Sequence, residues 1–187
     1  MQALKIVDLT GSDREIGFAH GQTLRAEIRK GAIPYFDHYL ERILEHSSAP
    51  LLQMPLIRSQ VLRHLDRKVR PKLQSRLPEF ALEFARGLAE GADISFDSVM
   101  RTFTMPDTFL WLIGSWQKSL KLGFFGGPPP TPMCGCTSAI AGKTATVDGR
   151  ILHARNFDYP AVGYWDAVPV VLRIKPNEGL QYLTVTS

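Results

Sequence analysis

Cysteine is scarce in this chain, which has two cysteines, Cys134 and Cys136, among 187 residues. Two cysteines are too few for a disulfide framework, and with one residue between them they cannot easily pair with each other. Two thiols do not complete a structural zinc site, and the five histidines show no metal-ligand spacing. We therefore expect neither a metal nor any other cofactor.

Long apolar runs are lacking as well. The most apolar stretch, residues 108–117, is uncharged over only ten residues, which is about half the length that a bilayer-spanning helix needs. The first residues, MQALKIVDLTGSD, lack the charged region and the apolar run of a signal peptide. We therefore expect a soluble, cytoplasmic protein.

The composition is that of an ordinary folded domain, with 44% hydrophobic and 21% charged residues, and it excludes a disordered chain. The formal net charge is +4, and between Arg58 and Arg76 seven basic residues accompany one acid, Asp66. Such a stripe is most typical of a solvated helix face, while an anionic membrane surface and a nucleic-acid patch stay open as alternatives. We expect no nucleic-acid partner.

Helical signals dominate residues 1–122. After a short strand at 4–9, Ser12 and Glu15 form the pattern of a capping box at the start of a helix. Further helices are predicted at 35–45, at 56–69 with Pro71 as the stop, at 78–91 with Gly91 as the C-terminal cap, from a cap at Ser95 to 105, and at 109–120.

The chain changes character after residue 122. Residues 123–135 (GFFGGPPPTPMCG) hold four glycines and four prolines and predict an exposed loop. The fold class is therefore α+β, with a helical part at 1–122, the loop at 123–135, and the start of an antiparallel sheet within 136–187. Four strands are predicted there, at 137–141, 151–157, 168–174 and 180–186, with turns at 148–149 and 176–179.

The residues with the clearest chemical meaning lie at the two ends of the first hairpin. Cys136 opens one strand directly after the loop, and the returning strand ends in Arg-Asn-Phe-Asp-Tyr at 155–159. A hairpin brings its ends together, so Cys136 should lie close to Arg155 and Asp158. A guanidinium favours the thiolate form of a nearby cysteine, and a carboxylate can orient an amine or a water.

Residues 134–160 resemble the start of the catalytic chain in cysteine-type N-terminal-nucleophile (Ntn) hydrolases. The likeness is carried by a strand-opening Cys-Thr-Ser and, after a hairpin, Gly-x-Ile-x-x-x-Arg-Asn-x-Asp-Tyr. The motif is similar to that of acid ceramidase, choloylglycine hydrolase, penicillin V acylase and the isopenicillin N acyltransferase group. Residues 9–28 and 86–100 are similar to the helical prosegment of the acyltransferase group.

The resemblance implies a helical prosegment followed by an αββα sandwich, and an enzyme that cuts itself between Gly135 and Cys136. The new N-terminal Cys136 would then attack a small linear acyl amide and carry the acyl group as a thioester. Its own α-amine would be the general base, because that group titrates near pH ~7.7–8.0. Arg155 would hold the surroundings of the nucleophile, Asp158 would hydrogen-bond the amine or the substrate amide, and Asn156 would shape the turn.

Two features set this chain apart from the family pattern. Residues 136–187 are too few for the family's catalytic domain, so we expect a truncated chain without the oxyanion-stabilising residues. Such a chain would associate with a missing C-terminal part or with a second copy. Strict alternation also places Arg155 and Asp158 on opposite strand faces, so both approach Cys136 only if the strand bends or bulges near Phe157.

Several interpretations stay open beside this one. An acyltransferase of the isopenicillin N type would pass the acyl group of the same thioester to an amine, and an inactive fragment would serve as a binding or regulatory module. His153 is interpreted as an ordinary strand residue rather than as the partner in a Cys–His dyad. A set of aromatic residues near the loop is interpreted as helix-packing core: Phe109, Trp111, Trp116, Phe124 and Phe125. The alternative is that they line an acyl-chain pocket or make a peripheral membrane or lipid contact. In the pocket interpretation, Trp111, Trp116 and Tyr159 would bind substrate.

Overall fold

The computed structural model describes residues 4–45, 50–121, 135–158 and 169–186. This part of the chain combines helices with two small sheets, which confirms the α+β class. Two compact units are present, one formed by Met1–Pro130 together with Gly163–Ser187 and the other by Thr131–Val162. The division differs from the three consecutive parts predicted above, because the last strands group with the helices and not with the hairpin that precedes them.

Helices account for most of the first unit. None of those within the described ranges has the length and apolar character that a bilayer crossing requires. Their bounds are α1 Asp13–Thr23, α2 Arg25–Glu27, α3 Ile33–Glu45, α4 Pro50–Gln53, α5 Pro55–His64, α6 Arg70–Gln74, α7 Glu79–Ala92, α8 Phe96–Phe103 and α9 Met105–Lys121.

Helix starts follow the sequence closely. Before α1, the Ser12 hydroxyl accepts a hydrogen bond from the Glu15 N–H, and the Glu15 carboxylate accepts one from the Ser12 N–H at 2.8 Å, so the predicted capping box is confirmed. These bonds stabilise the ionised carboxylate and lower the pKa of Glu15. Before α8, the Ser95 hydroxyl accepts from the Ser98 N–H at 3.1 Å.

The predicted helix stop at Pro71 is wrong. The helix continues from α5 through a π turn, Leu65–Val69, into α6, and Pro71 is the second residue of α6. A second π turn, Ile28–Ala32, precedes Pro34 at the second position of α3 in the same way. Each proline directly follows the residue that closes a π turn with an i→i−5 hydrogen bond, Arg70 N–H to Leu65 O and Ile33 N–H to Ile28 O, and this wider turn accommodates a residue that has no N–H to donate.

Helices α1 and α7 are parallel and touch through their backbones. Four glycines form the contact, Gly17 and Gly21 on α1 and Gly87 and Gly91 on α7. A Cβ atom added to any of the four would lie 2.0–2.5 Å from a backbone carbonyl oxygen of the other helix, far inside van der Waals contact. Such an approach is open only to glycine, and it allows Cα–H to carbonyl contacts between the helices.

The role of Gly91 therefore differs from the predicted one. It is a buried residue inside α7 and not the helix cap, and the left-handed cap position is taken by Asp93 with φ 55°. Two arginines, one in α2 and one in the π turn Ile28–Ala32, bind the C-terminal end of α7. The Arg25 guanidinium donates to the Gly91 carbonyl oxygen at 3.0 and 3.1 Å, and Arg29 forms an ion pair with the Asp93 carboxylate at 3.1 Å.

The larger sheet joins the two ends of the chain, with strands β1 Lys5–Gly11, β4 Val170–Pro176 and β5 Tyr182–Thr186 in the order β1-β4-β5. β4 and β5 pair antiparallel as expected, but β1 and β4 pair parallel, with Val7 opposite Leu172 and Leu9 opposite Ile174. The expectation of a purely antiparallel sheet is therefore wrong. Parallel pairing arises because β1 and β4 are distant in sequence and need no hairpin between them.

One face of this sheet forms the core of the first unit. Alternate residues of β1 and β4 are buried on it, as the period of a strand requires, and they pack with α1, α7 and α8. On the opposite face Ile6, Leu183 and Val185 are exposed. Main members of the core are Val7, Leu9, Ile16, Leu24, Leu88, Val99, Met100, Val170, Leu172 and Ile174.

A second, smaller core lies among α3, α4, α5 and α9 and contains Leu44, Leu52 and Leu112. Phe109 is buried nearby. Its ring packs edge to face with that of Tyr39 at a centroid distance of 6.0 Å, which confirms its interpretation as a packing residue. Trp111 is different, since 41% of it remains exposed.

The backbone contact of α1 and α7 predicts that glycine-to-alanine changes have opposite effects on stability inside and outside the contact. Gly17→Ala or Gly87→Ala should lower the free energy of unfolding by about 2–3 kcal/mol or more, since a methyl group forces the helices apart. Gly114→Ala in α9 is the matched control. A Cβ there meets nothing within 4 Å, and the change should raise stability by roughly 0.5–1 kcal/mol. Urea unfolding measures both, and equal effects at the two kinds of site would contradict the contact.

His20 in the last turn of α1 makes the fold sensitive to acid. Its ring centroid lies 5.9 Å from that of Phe84, and its buried Nδ1 atom has no hydrogen-bond partner among the described residues. Burial disfavours the imidazolium and lowers the pKa of His20 to about 4.

A lowered histidine pKa means that the unfolded chain binds the proton more tightly than the folded one. Stability that is complete above the unfolded pKa of ~6.5 is therefore lost as the pH falls towards 4, by about 2 kcal/mol between pH 7 and pH 5. His20→Leu should remove this part of the pH dependence. Urea unfolding of both proteins at pH 7 and pH 5 tests it, and an equal fall in stability for the two would show that His20 does not cause it.

Candidate active site

The smaller sheet is the hairpin that carries the predicted nucleophile. Its strands are β2 Gly135–Ala141 and β3 Leu152–Asp158, paired antiparallel. Cys136 lies directly opposite Phe157, and Ser138 lies directly opposite Arg155. The predicted closeness of the two hairpin ends is therefore confirmed at the level of strand register.

Arg155 shares a strand face with position 136. The two positions are diagonal neighbours, because the partner of Cys136 is Phe157 and Arg155 is two residues from it. Diagonal neighbours are about 7–8 Å apart at their Cα atoms, a distance that a long arginine side chain can bridge. Arg155 and Ser138 are both exposed. A guanidinium on this face suits the stabilisation of a thiolate.

Asp158 belongs to the other face of the hairpin. Its position is directly opposite Gly135, the predicted cleavage residue, and it shares its face with Asn156, which is exposed and lies opposite Thr137. The pairing runs from Gly135 to Ala141 with one residue opposite one residue, so this ladder contains no bulge. The bulge that would bring both Arg155 and Asp158 to the face of Cys136 is therefore absent from the described hairpin.

The regular register assigns the two charged residues to different parts of the predicted chemistry. Position 155 lies on the face of position 136, whereas position 158 lies on the opposite face, directly across from Gly135. A carboxylate opposite Gly135 can orient a water or the amine that cleavage releases.

The connection between β2 and β3 is within one residue of the one that the predicted strands leave, 142–150. It runs over residues 142–151 and begins with a 3₁₀ turn, Lys143–Ala145. Asp148 accepts a hydrogen bond from the Arg150 N–H at 3.1 Å, and Gly149 has φ 71°, a left-handed conformation that favours glycine. This connection forms the exposed end of the hairpin, away from Cys136.

His153 lies on the same face as Arg155 but far along it. Its partner is Ile140, four residues from Cys136, which corresponds to about 13 Å along the strand. A Cys–His dyad needs hydrogen-bond distance, so the register favours the interpretation of His153 as an ordinary exposed strand residue.

Other predicted residues fall in different parts of the chain. Cys134 and Tyr159 lie outside the described residues, as do the side chains of Cys136, Asp158 and Trp116. Trp111 belongs to α9, and its ring stacks on His64 at a centroid distance of 5.9 Å. No group of three or more potential metal ligands occurs within the described ranges.

Sequence inspection missed one polar cluster, on the exposed face of the larger sheet. Asp8 of β1 and Arg173 of β4 form an ion pair that raises the pKa of Arg173, and with Lys175 and Gln181 they line a shallow, open depression. Strand alternation places Asp8, Arg173 and Lys175 on the exposed face of the sheet, but the contact of Asp8 with Arg173 depends on the parallel pairing of β1 with β4, which no local signal indicates.

The sequence matches no protein-family model and no curated protein.

The exposure of Arg155 predicts that it is replaceable without loss of the fold. Arg155→Ala should change the free energy of unfolding by less than about 1 kcal/mol, while slowing any cleavage at Gly135. Arg150→Ala is the control, since Arg150 lies on the same hairpin in the connection and is 81% exposed at its side chain. Thermal melts and the rate of fragment formation measure the two effects. A collapsed melt for Arg155→Ala alone would make the residue structural.

Proposed function

We propose that the protein is a self-activating, cysteine-type Ntn hydrolase of linear amides. The observation that supports this function best is the register of the β2–β3 hairpin. It pairs the strand that opens with Gly135-Cys136 with a strand that carries Arg155 on the face of position 136 and Asp158 opposite Gly135. The positions of the nucleophile, the arginine and the aspartate thus share one end of a two-stranded sheet, with the arginine on the face of position 136 and the aspartate position on the other face.

Activation in this proposal is a cleavage of the chain by its own thiol. The Cys136 sulfur attacks the Gly135 carbonyl carbon, the Gly135–Cys136 C–N bond breaks, and the nitrogen takes up a proton to become the free α-amine of Cys136. The acyl group has then moved to sulfur as a thioester. Water hydrolyses this thioester to the Gly135 carboxylate and the Cys136 thiol. Glycine suits the scissile position because it lacks a side chain that would hinder the attack.

Turnover repeats the same chemistry on a substrate. The α-amine of Cys136 accepts the thiol proton, the thiolate attacks the amide carbonyl carbon, and the amine then protonates the leaving nitrogen as the C–N bond breaks. Water attacks the resulting thioester and releases the carboxylic acid. If an acceptor amine attacks instead of water, the product is a new amide, and the same site acts as an acyltransferase.

The charged residues have separate tasks in this scheme. Arg155 is a positioning residue that favours the thiolate, because a guanidinium lowers the pKa of a neighbouring thiol. Asp158 orients the amine released at Cys136, and Asn156, at a position on the same face, shapes the turn. No metal or cofactor enters a step, since the nucleophile brings its own base.

Two cysteine variants test the proposal. Cys136→Ala should abolish cleavage and amide hydrolysis, because the attacking sulfur is gone, whereas Cys134→Ala should leave both intact. Intact-mass spectrometry after incubation should show fragments 1–135 and 136–187 for the natural sequence and for the Cys134 variant. Loss of cleavage in the Cys134 variant alone would move the nucleophile to that residue. A chain that stays whole in every case would favour a binding or regulatory module.

A further inference from the structure

One surface outside the hairpin combines exposed basic and exposed apolar side chains. It runs along α5 and the π turn that follows, and it includes one residue of α9. We call it the basic–apolar patch, and its members are Leu56, Arg63, His64, Arg67, Lys68 and Trp111.

Helical spacing brings these residues to one side of the molecule. Leu56 and Arg63 are seven residues apart, close to two turns of α5, and Arg67 and Lys68 follow Arg63 and His64 at intervals of four. Trp111 reaches the same surface from α9, since its ring stacks on that of His64. From Leu56 to Lys68 the patch extends for about 18 Å, at ~1.5 Å per residue.

The charges of Arg63, Arg67 and Lys68 are not neutralised by ion pairs among the described residues, although the Arg63 guanidinium donates weak hydrogen bonds to Ser59 at 3.4 and 3.5 Å. Two other arginines of the stripe form internal ion pairs, Arg58 with Glu41 at 3.5 Å and Arg70 with Asp66 at 2.5 Å. Within the described part of the chain, no carboxylate lies at ion-pair distance from Arg63, Arg67 or Lys68. The nearest acid along the stripe, Asp66, is already engaged by Arg70 and Arg101.

Apolar exposure accompanies this positive charge. Leu56 is 66% exposed and Trp111 is 41% exposed, and the corner before α5 adds Leu51 and Met54 at 52% and 50%. No Asp or Glu occurs from residue 46 to residue 65, and one exposed acid, Asp107, precedes Trp111 by a turn of α9. The balance of the surface is therefore basic.

We propose that the basic–apolar patch docks the protein on the surface of an anionic phospholipid bilayer. Lysine and arginine side chains meet the negative headgroups, while leucine and tryptophan side chains enter the boundary between headgroups and acyl chains. Tryptophan has an amphipathic ring that suits this boundary. The contact is peripheral and reversible, and it does not depend on the chemistry proposed for the hairpin.

A bilayer fits this surface better than a nucleic acid does. Surfaces that bind single-stranded nucleic acids combine basic residues with aromatic rings on which bases stack, whereas exposed leucine and methionine side chains suit the acyl-chain boundary of a bilayer. Three exposed apolar residues in the patch or just before it, Leu51, Met54 and Leu56, have such aliphatic side chains.

Vesicle co-sedimentation tests the proposal with the whole chain. Vesicles of phosphatidylcholine with 30% phosphatidylserine should bind the protein, and pure phosphatidylcholine vesicles should bind it weakly. Raising the salt from about 0.05 M to 0.5 M should weaken the binding, because headgroup charges become screened. Arg67→Glu with Lys68→Glu should weaken binding by about 30-fold or more, since each basic residue at such a surface contributes about fivefold.

Lys143→Glu with Arg150→Glu is the matched control, because it changes the net charge by the same amount on the exposed connection of the hairpin. It should retain most of the binding. Leu56→Ser with Trp111→Ala should weaken binding even at low salt, which separates insertion from simple charge attraction. Equal losses in the two charge-reversal variants would overturn the patch as the docking surface. So would tight binding to a single-stranded RNA oligonucleotide in the absence of any binding to the anionic vesicles.

Discussion

The backbone contact between α1 and α7 is the constraint on which the rest of the first unit depends. Glycines at 17, 21, 87 and 91 let the two helices approach until a single added methyl group would collide with the opposite main chain. Arg25 and Arg29 then hold the end of α7 through the Gly91 carbonyl and the Asp93 carboxylate. Two stretches that are far apart in sequence are in this way fixed as one rigid pair.

The sheet builds on that pair. Ser12 alone separates β1 from α1, so the position of α1 also determines where β1 lies. β4 pairs with β1, and the buried residues of both strands complete the core formed by α1, α7 and α8. Strand β4, which follows the hairpin in sequence, therefore pairs with the first strand, and the first unit contains residues from before and after the hairpin.

Local signals predicted what local physics controls. The capping box at Ser12, the cap at Ser95 and the β2–β3 pairing all depend on residues close in sequence, and all are present. The errors have a common cause. In the sequence Gly91 has the position of a helix cap, but in the structure it packs against Phe18 of α1. The parallel partner of β1 is more than 150 residues away in sequence. At Pro71, a π turn that no sequence pattern announces lets the helix continue.

The sequence predicts where the candidate site lies along the chain, but not which of its residues share a strand face. A hairpin between Cys136 and Asp158 follows from the turn residues and strand patterns, whereas the unbroken ladder, which separates Arg155 from Asp158, follows from register. A β-bulge inserts one extra residue into one strand, and no clear pattern in a single sequence indicates it. The two charges accordingly act on different parts of the proposed reaction, one on the thiolate and one at the bond that is cut.

The central claim is that the chain converts Cys136 into a free N-terminal residue. Such a residue is a 1,2-aminothiol, which condenses with 2-cyanobenzothiazole, whereas an internal cysteine does not form the stable ring product. After incubation of the purified protein, we predict one labelled fragment that begins at Cys136, with a mass equal to residues 136–187 plus the label. A full-length chain that remains unlabelled after prolonged incubation, or a label on a fragment that begins elsewhere, would contradict the account.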